Sequence, residues 1–163
     1  MIGRALVLGV AAIVSGCGAA DARPPDHLPT VQGCFAAAEH THPVVLEVAS
    51  TPEIRQKGLM GRTAMAENAG MLFTYDYERS PEQGFWMFQT LLPLDIAYLD
   101  GQGTIVSIRQ MHPCASARRS DCPGYPSSAS YRNAVEMNAG YFASHKIKVG
   151  DQLHWDSPDH CEP

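Results

Sequence analysis

Hydrophobic and polar positions change their period several times along this chain. From Ala5 to Val14 they are apolar except for Gly9, and Arg4 is the one charge before Asp21. A run of about ten residues is too short for a bilayer, which needs about twenty, so this segment reads as a secretory signal and not as a membrane span. Residues 18–42 are rich in Ala, Pro, Asp and His and show neither period, which predicts a tether followed by a loop. β-Branched residues over 44–49 then predict a strand. Thr51-Pro52-Glu53 supplies a helix start, with Thr51 as cap, Pro52 at the first helical position and an acid in the first turn. Gly58 is placed to end that helix and to turn Leu59 and Met60 toward the core. Gly70 introduces a strand over 71–75, the polar segment to Gly84 reads as a loop, and 85–88 is extended. Two further strands, 94–99 and 104–109, flank the hairpin turn Asp100-Gly101-Gln102-Gly103. Residues 113–130 form a long loop, and a strand follows from Tyr131. Asn138 is placed to cap a short helix through His145, and Val149-Gly150-Asp151 turns into a last strand over 152–155. The pattern predicts a chain made mostly of sheet.

Composition narrows the class. With 163 residues, 45% hydrophobic and 18% charged, the chain favours one compact domain over a disordered one. Its 12 prolines and 14 glycines follow no period, which excludes collagen, coiled coil and long bundles. A net charge of −5 argues against a nucleic-acid partner, which requires a basic face.

Val14-Ser15-Gly16-Cys17 resembles the lipobox of bacterial lipoproteins, in which the cysteine thiol carries diacylglycerol. The rival reading is cleavage after the small pair Ala20 and Ala22, leaving a soluble periplasmic protein that begins at Arg23. Cysteine parity favours the lipoprotein: of five cysteines, lipidation of Cys17 leaves an even set of four. Cys114 and Cys122 are expected to close the proline-rich loop, and Cys34 then pairs with Cys161 by elimination.

Arg55-Gln56-Lys57-Gly58-Leu59-Met60-Gly61-Arg62, Gly70-Met71-Leu72-Phe73, Phe85-Trp86-Met87-Phe88-Gln89-Thr90 and Pro93-Leu94-Asp95 occur in this order. Pro113-Cys114, Cys122-Pro123-Gly124-Tyr125-Pro126, Val135-Glu136-Met137-Asn138-Ala139-Gly140 and Val149-Gly150-Asp151 follow. The series resembles the domain-of-unknown-function family 192. The resemblance implies a compact single α+β domain with a strongly curved, mostly antiparallel, barrel-like sheet and two short helices, often exported, with no established activity. The chain would then divide into a signal peptide at 1–16, a lipidated tether and loop at 17–42, the family domain at 43–156 and a tail at 157–163. One departure stands out: the family usually reads Trp-Met-Lys-Asn-Thr, where this chain has Phe88 and Gln89.

Candidate chemistry lies in the polar residues among these motifs. Arg55 and Arg62, with Thr90, are spaced to bind a carboxylate or phosphate. Arg55 sits one turn into an exposed helix and reads as a surface residue pairing with Glu53 or facing water. Arg62 follows the helix stop and has no regular face to decorate, so it is the stronger candidate. Adjacent strand residues face opposite sides, so one of Trp86 and Met87 enters the core, and Trp86 with Thr90 and Tyr125 could wall a pocket. Asp95 and Glu136 lie between apolar neighbours, as buried structural acids or as site acids. There is no Gly-x-Ser-x-Gly elbow, His-Glu-x-x-His helix, Walker loop or Rossmann glycine run. His40 and His42 alternate around Thr41 as a metal pair in a strand would, but at the start of a domain they read as solvated. Met111 to Cys114 with His160 and Cys161 lack the spacing of a metal site, so no metal or cofactor is expected. Two functions remain. The preferred one is an envelope-anchored, non-catalytic module binding a small polar or anionic ligand, or a partner segment, through Arg62, Trp86, Thr90, Asp95 and Tyr125. The alternative is a cell-envelope enzyme using Asp95 or Glu136 as general acid or base on a carbohydrate or cell-wall substrate.

If Cys17 is lipidated, Cys17→Ser releases the protein from membranes of its native host. Identical detergent-phase partitioning of variant and wild type would refute the lipobox reading.

Overall fold

The computed structural model describes residues 28–37, 40–155 and Cys161. The expected signal segment, Cys17 and most of the C-terminal tail lie outside these residues.

Nine strands and two short helices are present among the described residues. Strands β1 (Thr30–Ala37) and β2 (His40–Ala49) pair antiparallel along their whole length, from Thr30 opposite Glu47 to Ala37 opposite His40. The tether-and-loop expectation for 18–42 is corrected here: Cys34, Phe35 and Ala37 are buried, so this stretch has the apolar positions a strand needs. Helix α1 (Pro52–Lys57) starts as expected, with Ile54 N donating to Thr51 Oγ1 at 3.3 Å. It ends at Gly58, whose φ of +47° costs a glycine little. Leu59 is then buried.

Strand β3 (Ala69–Arg79) runs four residues beyond the expected end at Tyr75: after a register shift past Thr74 its polar outer half meets β8 again at Arg79, opposite Tyr131. Strands β4 (Gly84–Trp86), β5 (Leu94–Leu99) and β6 (Ile105–Met111) follow. Asp100 Oδ1 holds the β5–β6 turn by accepting from Gln102 N at 2.8 Å and Thr104 N at 2.9 Å. The long loop contains a 3-10 turn over Arg119–Asp121 and strand β7 (Gly124–Pro126). After β8 (Tyr131–Asn138) comes α2 (Tyr141–Ser144), and β9 (Gln152–His154) closes the chain. The cap of α2 differs from expectation. Gly140, at φ +84°, occupies the cap, while Asn138 Nδ2 donates to the carbonyls of Met65 and Ala66 at 3.3 and 3.0 Å.

Seven strands form one sheet in the order β6-β5-β8-β3-β2-β1-β9, antiparallel except for the β2–β3 pair, while β4 and β7 make a separate two-stranded ribbon. The sheet curls until its edges meet: Leu153 N donates to Gly103 O at 2.9 Å and Ile105 N to Asp151 O at 2.8 Å. Gly103 is required at this seam, since a Cβ there would lie 2.4 Å from Leu153 O. The curved, mostly antiparallel α+β domain is therefore as expected. It has two cores. Phe35, Leu46, Leu72, Val135, Met137 and Phe142 fill the inside of the curl, and Leu59, Met71, Phe73, Met87, Ile96 and Tyr98 pack on its outer face.

Cys114 joins Cys122, and Cys34 joins Cys161. Two such bonds fit an oxidising compartment. Among the described residues no helix is long and apolar enough to cross a membrane. Replacing Cys34 and Cys161 together by serine should cost about 2–5 kcal/mol, and the shorter Cys114–Cys122 loop about 2–3 kcal/mol. Urea denaturation of the two double variants checks this, and a larger loss at Cys114–Cys122 would contradict the loop-length argument.

Candidate functional site

A cavity of about 400 Å³ opens on the outer face of the sheet, between α1, β3, β4 and the disulfide-closed loop. Local structure explains its walls. Side chains alternate along β3, so Phe73, Tyr75, Tyr77 and Arg79 share one face, and all four line the cavity. The opposite wall is β4, which pairs with β7 through Phe85 opposite Tyr125. The Tyr98 hydroxyl donates to Tyr125 O and fastens this ribbon over the outer core. Met87 is fully buried, so its neighbour Trp86 faces the other way and lines the cavity with Thr90.

Three arginines converge on this space. Arg55 donates to Ser50 O at 2.6 Å and to Thr74 O at 2.8 Å, and its guanidinium lies 4.7 Å from the Tyr75 ring centre. Arg79 donates to the Tyr131 hydroxyl at 3.0 Å and lies 4.3 Å from the same Tyr75 ring. Arg119 stacks on Trp86 at 3.6 Å. The ion pairs among the described residues are Arg62 with Glu47 and Arg118 with Asp121, so carbonyls, hydroxyls and aromatic faces hold these three cations without a counter-charge. Burial, and then the neighbouring Tyr131, pushes the Tyr75 hydroxyl up to about 12.

Glu136 lies at the floor. It sits opposite Met71 on β3 and Ile96 on β5, is 4% exposed, and borders the cavity. No described residue gives it a hydrogen bond or a counter-charge, and burial pushes its carboxyl up to about 8. Asp95 is the contrasting acid. It pairs in register with Met137, hence on the other face of the sheet, and accepts from Gly140 N at 2.9 Å. Burial raises its pKa and the Gly140 and Phe142 amides oppose that, so Asp95 anchors the start of α2.

The expected site residues therefore separate. Trp86 and Thr90 line the cavity. Arg62 does not: its two terminal nitrogens donate to Glu47 Oε1 and Oε2 at 2.5 and 2.6 Å, making it a structural partner of β2. Tyr125 belongs to the ribbon itself and packs against the outer core, its hydroxyl accepting from His112 N at 3.1 Å. Arg55, read as a surface residue, belongs to the site, and Arg79 and Arg119 were not anticipated. Extending β3 by its alternation would have aligned Arg79 with Phe73 and Tyr75. Nothing in the sequence around Arg119 announces its stacking on Trp86. Phe88 and Gln89 stand outside the lining, Phe88 bridging to Cys114 and Gln89 at φ +56° accepting from Gly61 N. His42 packs edge-on against His145 with centroids 4.7 Å apart. Among the described residues no three His, Cys, Asp or Glu side chains gather as a metal site.

The model of family DUF192, an uncharacterized ACR, matches residues 35–155. The chain belongs to the DUF192 family. A protein from Sinorhizobium meliloti 1021, put forward as a transcription regulator, has a crystal structure similar to this domain. It is 30% identical over 79% of this chain and 95% of that one, with a TM-score of 0.71. A protein of unknown function from Novosphingobium aromaticivorans DSM 12444 is 28% identical over 90% of this chain and 100% of that one, with a TM-score of 0.66. No curated protein matches. DUF192 membership thus establishes the fold and relatives of this domain, with no activity attached.

The raised carboxyl of Glu136 has a consequence for stability. Between the ordinary glutamate value of 4.5 and about 8 the folded state binds the extra proton, so stability falls as pH rises through that window and levels off above it. Glu136→Gln should remove this slope and stabilise the protein above about pH 8 by on the order of a few kcal/mol. Urea denaturation across the window measures it, and parallel pH profiles for variant and wild type would contradict the assignment.

Proposed function

We propose that the protein is an envelope-anchored, non-catalytic binding module, held at the periplasmic face of a bacterial membrane through lipid on Cys17, and that its outer-face cavity takes a small anionic ligand. The observation that supports this is the convergence of Arg55, Arg79 and Arg119 on one cavity, none of them in an ion pair among the described residues. Guanidiniums gathered in this way repel one another, and an anion with two or more oxygens offsets that repulsion through charge-assisted bonds. Aromatic walls and a volume of about 400 Å³ suit an organic molecule.

Binding is favoured over the carbohydrate-enzyme alternative by the placement of the acids. Hydrolysis by paired carboxylates needs both acids flanking one bond. Glu136 is the one carboxylate lining the cavity, and Asp95 faces the opposite side of the sheet. The two disulfides support export, while lipid anchoring rests on the sequence around Cys17.

Calorimetric titration with inorganic phosphate, succinate and terephthalate tests the anion site. At least one of them should bind, with affinity falling about tenfold or more in Arg79→Gln and in Arg119→Gln, and falling also with added salt. Binding unchanged in both variants, or no binding by any of the three or by the monomethyl esters of the two diacids, would overturn the reading.

A further inference from the structure

The strongest unexplained feature is the carboxyl at the floor of the cavity. Two other buried polar side chains on the sheet have partners: Asp95 accepts from Gly140 N, and Asn133 Nδ2 donates to Asp100 O at 3.5 Å. Glu136 has no such partner among the described residues, and its register neighbours Met71 and Ile96 are apolar. A buried acid without hydrogen bonds costs stability, and Glu136 borders a cavity from which a partner could come.

We propose that the site reads its ligand at two ends, and this rests on the anion-site reading above: the arginines take an anionic group, while Glu136, as a neutral carboxylic acid, hydrogen-bonds an uncharged oxygen of the same molecule. The ligand class is an organic monoanion carrying an ester, amide or ketone oxygen, with a flat or apolar body against the aromatic walls of the cavity. A neutral carboxyl offers one O–H donor and one carbonyl acceptor, which matches such an oxygen. A second anionic group brought to the floor would lack a cation there and would face the negative charge of Glu136 whenever it ionised. Inorganic anions and dianions are thereby disfavoured.

The groups facing Glu136 are compatible with this role. Tyr75 on β3 and Tyr98 on β5 feel its charge, and burial raises both hydroxyls far above neutrality. Tyr131 on β8 is raised as well, again by burial. Arg55 and Lys57 on α1, Arg79 on β3 and Arg119 from the closed loop line the same cavity and carry positive charge. Among the acids and phenols named, Glu136 alone titrates near pH 8.

The test compares succinate with its monomethyl ester, and terephthalate with its monomethyl ester, by calorimetry at about pH 6.5, where Glu136 is protonated. The monoester of at least one pair should bind about tenfold more tightly than its dianion. That preference should disappear in Glu136→Leu and persist in Glu136→Gln, whose amide also donates and accepts. Wild-type binding of the monoester should weaken as pH passes about 8, whereas that of Glu136→Gln should stay flat. If Glu136→Leu does not fold, the Glu136→Gln pH comparison decides alone. Equal or tighter binding of both dianions, or a pH profile shared by wild type and Glu136→Gln, overturns the proposal. If phosphate or a dianion binds through Arg79 and Arg119 regardless of Glu136, the anion site stands and the two-ended reading fails; if no probe binds, both fail.

Discussion

The central strands β5 and β8 are buried on both faces, and the rest of the molecule is arranged around that condition. A strand covered on both sides must have apolar partners on both. The inner face finds them by curling until β9 reaches the β5–β6 turn at Gly103 and α2 fills the interior. The outer face has no second sheet of comparable size. It is covered in pieces, by Leu59 after α1, by Met87 and by the β4–β7 ribbon. Pieces leave a gap between them, and the cavity is that gap.

The chemistry of the cavity follows from which side chains line it. β3 extends past the core, so its outer-face positions change from Met71 and Phe73 to Tyr75, Tyr77 and Arg79 as cover gives way to solvent. Tyr75 supplies a ring to two arginines, and Trp86 supplies one to a third. Glu136 breaks the apolar run of β8 on this same face. One residue earlier or later, the pleat would have turned it into the inner core, where no cavity adjoins it.

Much of the fold was legible along the chain. The helix start at Thr51-Pro52, the stop at Gly58, the Asp100 to Gly103 hairpin and the extent of β5 all depend on local chemistry, so local reading found them. The misses share a cause. β1 is held between β2 and the distant β9, and the outer end of β3 meets β8 at Arg79 opposite Tyr131; a segment's own residues do not show such pairing. The α2 cap shows the same limit in small. Asn138 has the right side chain for a cap, yet carbonyls at Met65 and Ala66 engage it first.

The site was less legible than the fold. Sequence by itself determined the residue types available: arginines flanking Gly58, aromatics before Met87, acids set among apolar neighbours, and four cysteines beyond Cys17. Which arginine meets which acid was decided by tertiary structure alone. Arg62 looked free of any face and is held by Glu47 from a neighbouring strand, while Arg55, which looked solvated, stacks on Tyr75 and enters the cavity. Asp95 and Glu136, alike in sequence context, fall on opposite faces through the registers of β5 and β8. Charge–charge and charge–aromatic contacts act over a few ångströms in space, and positions along the chain carry no record of those distances until the sheet has closed.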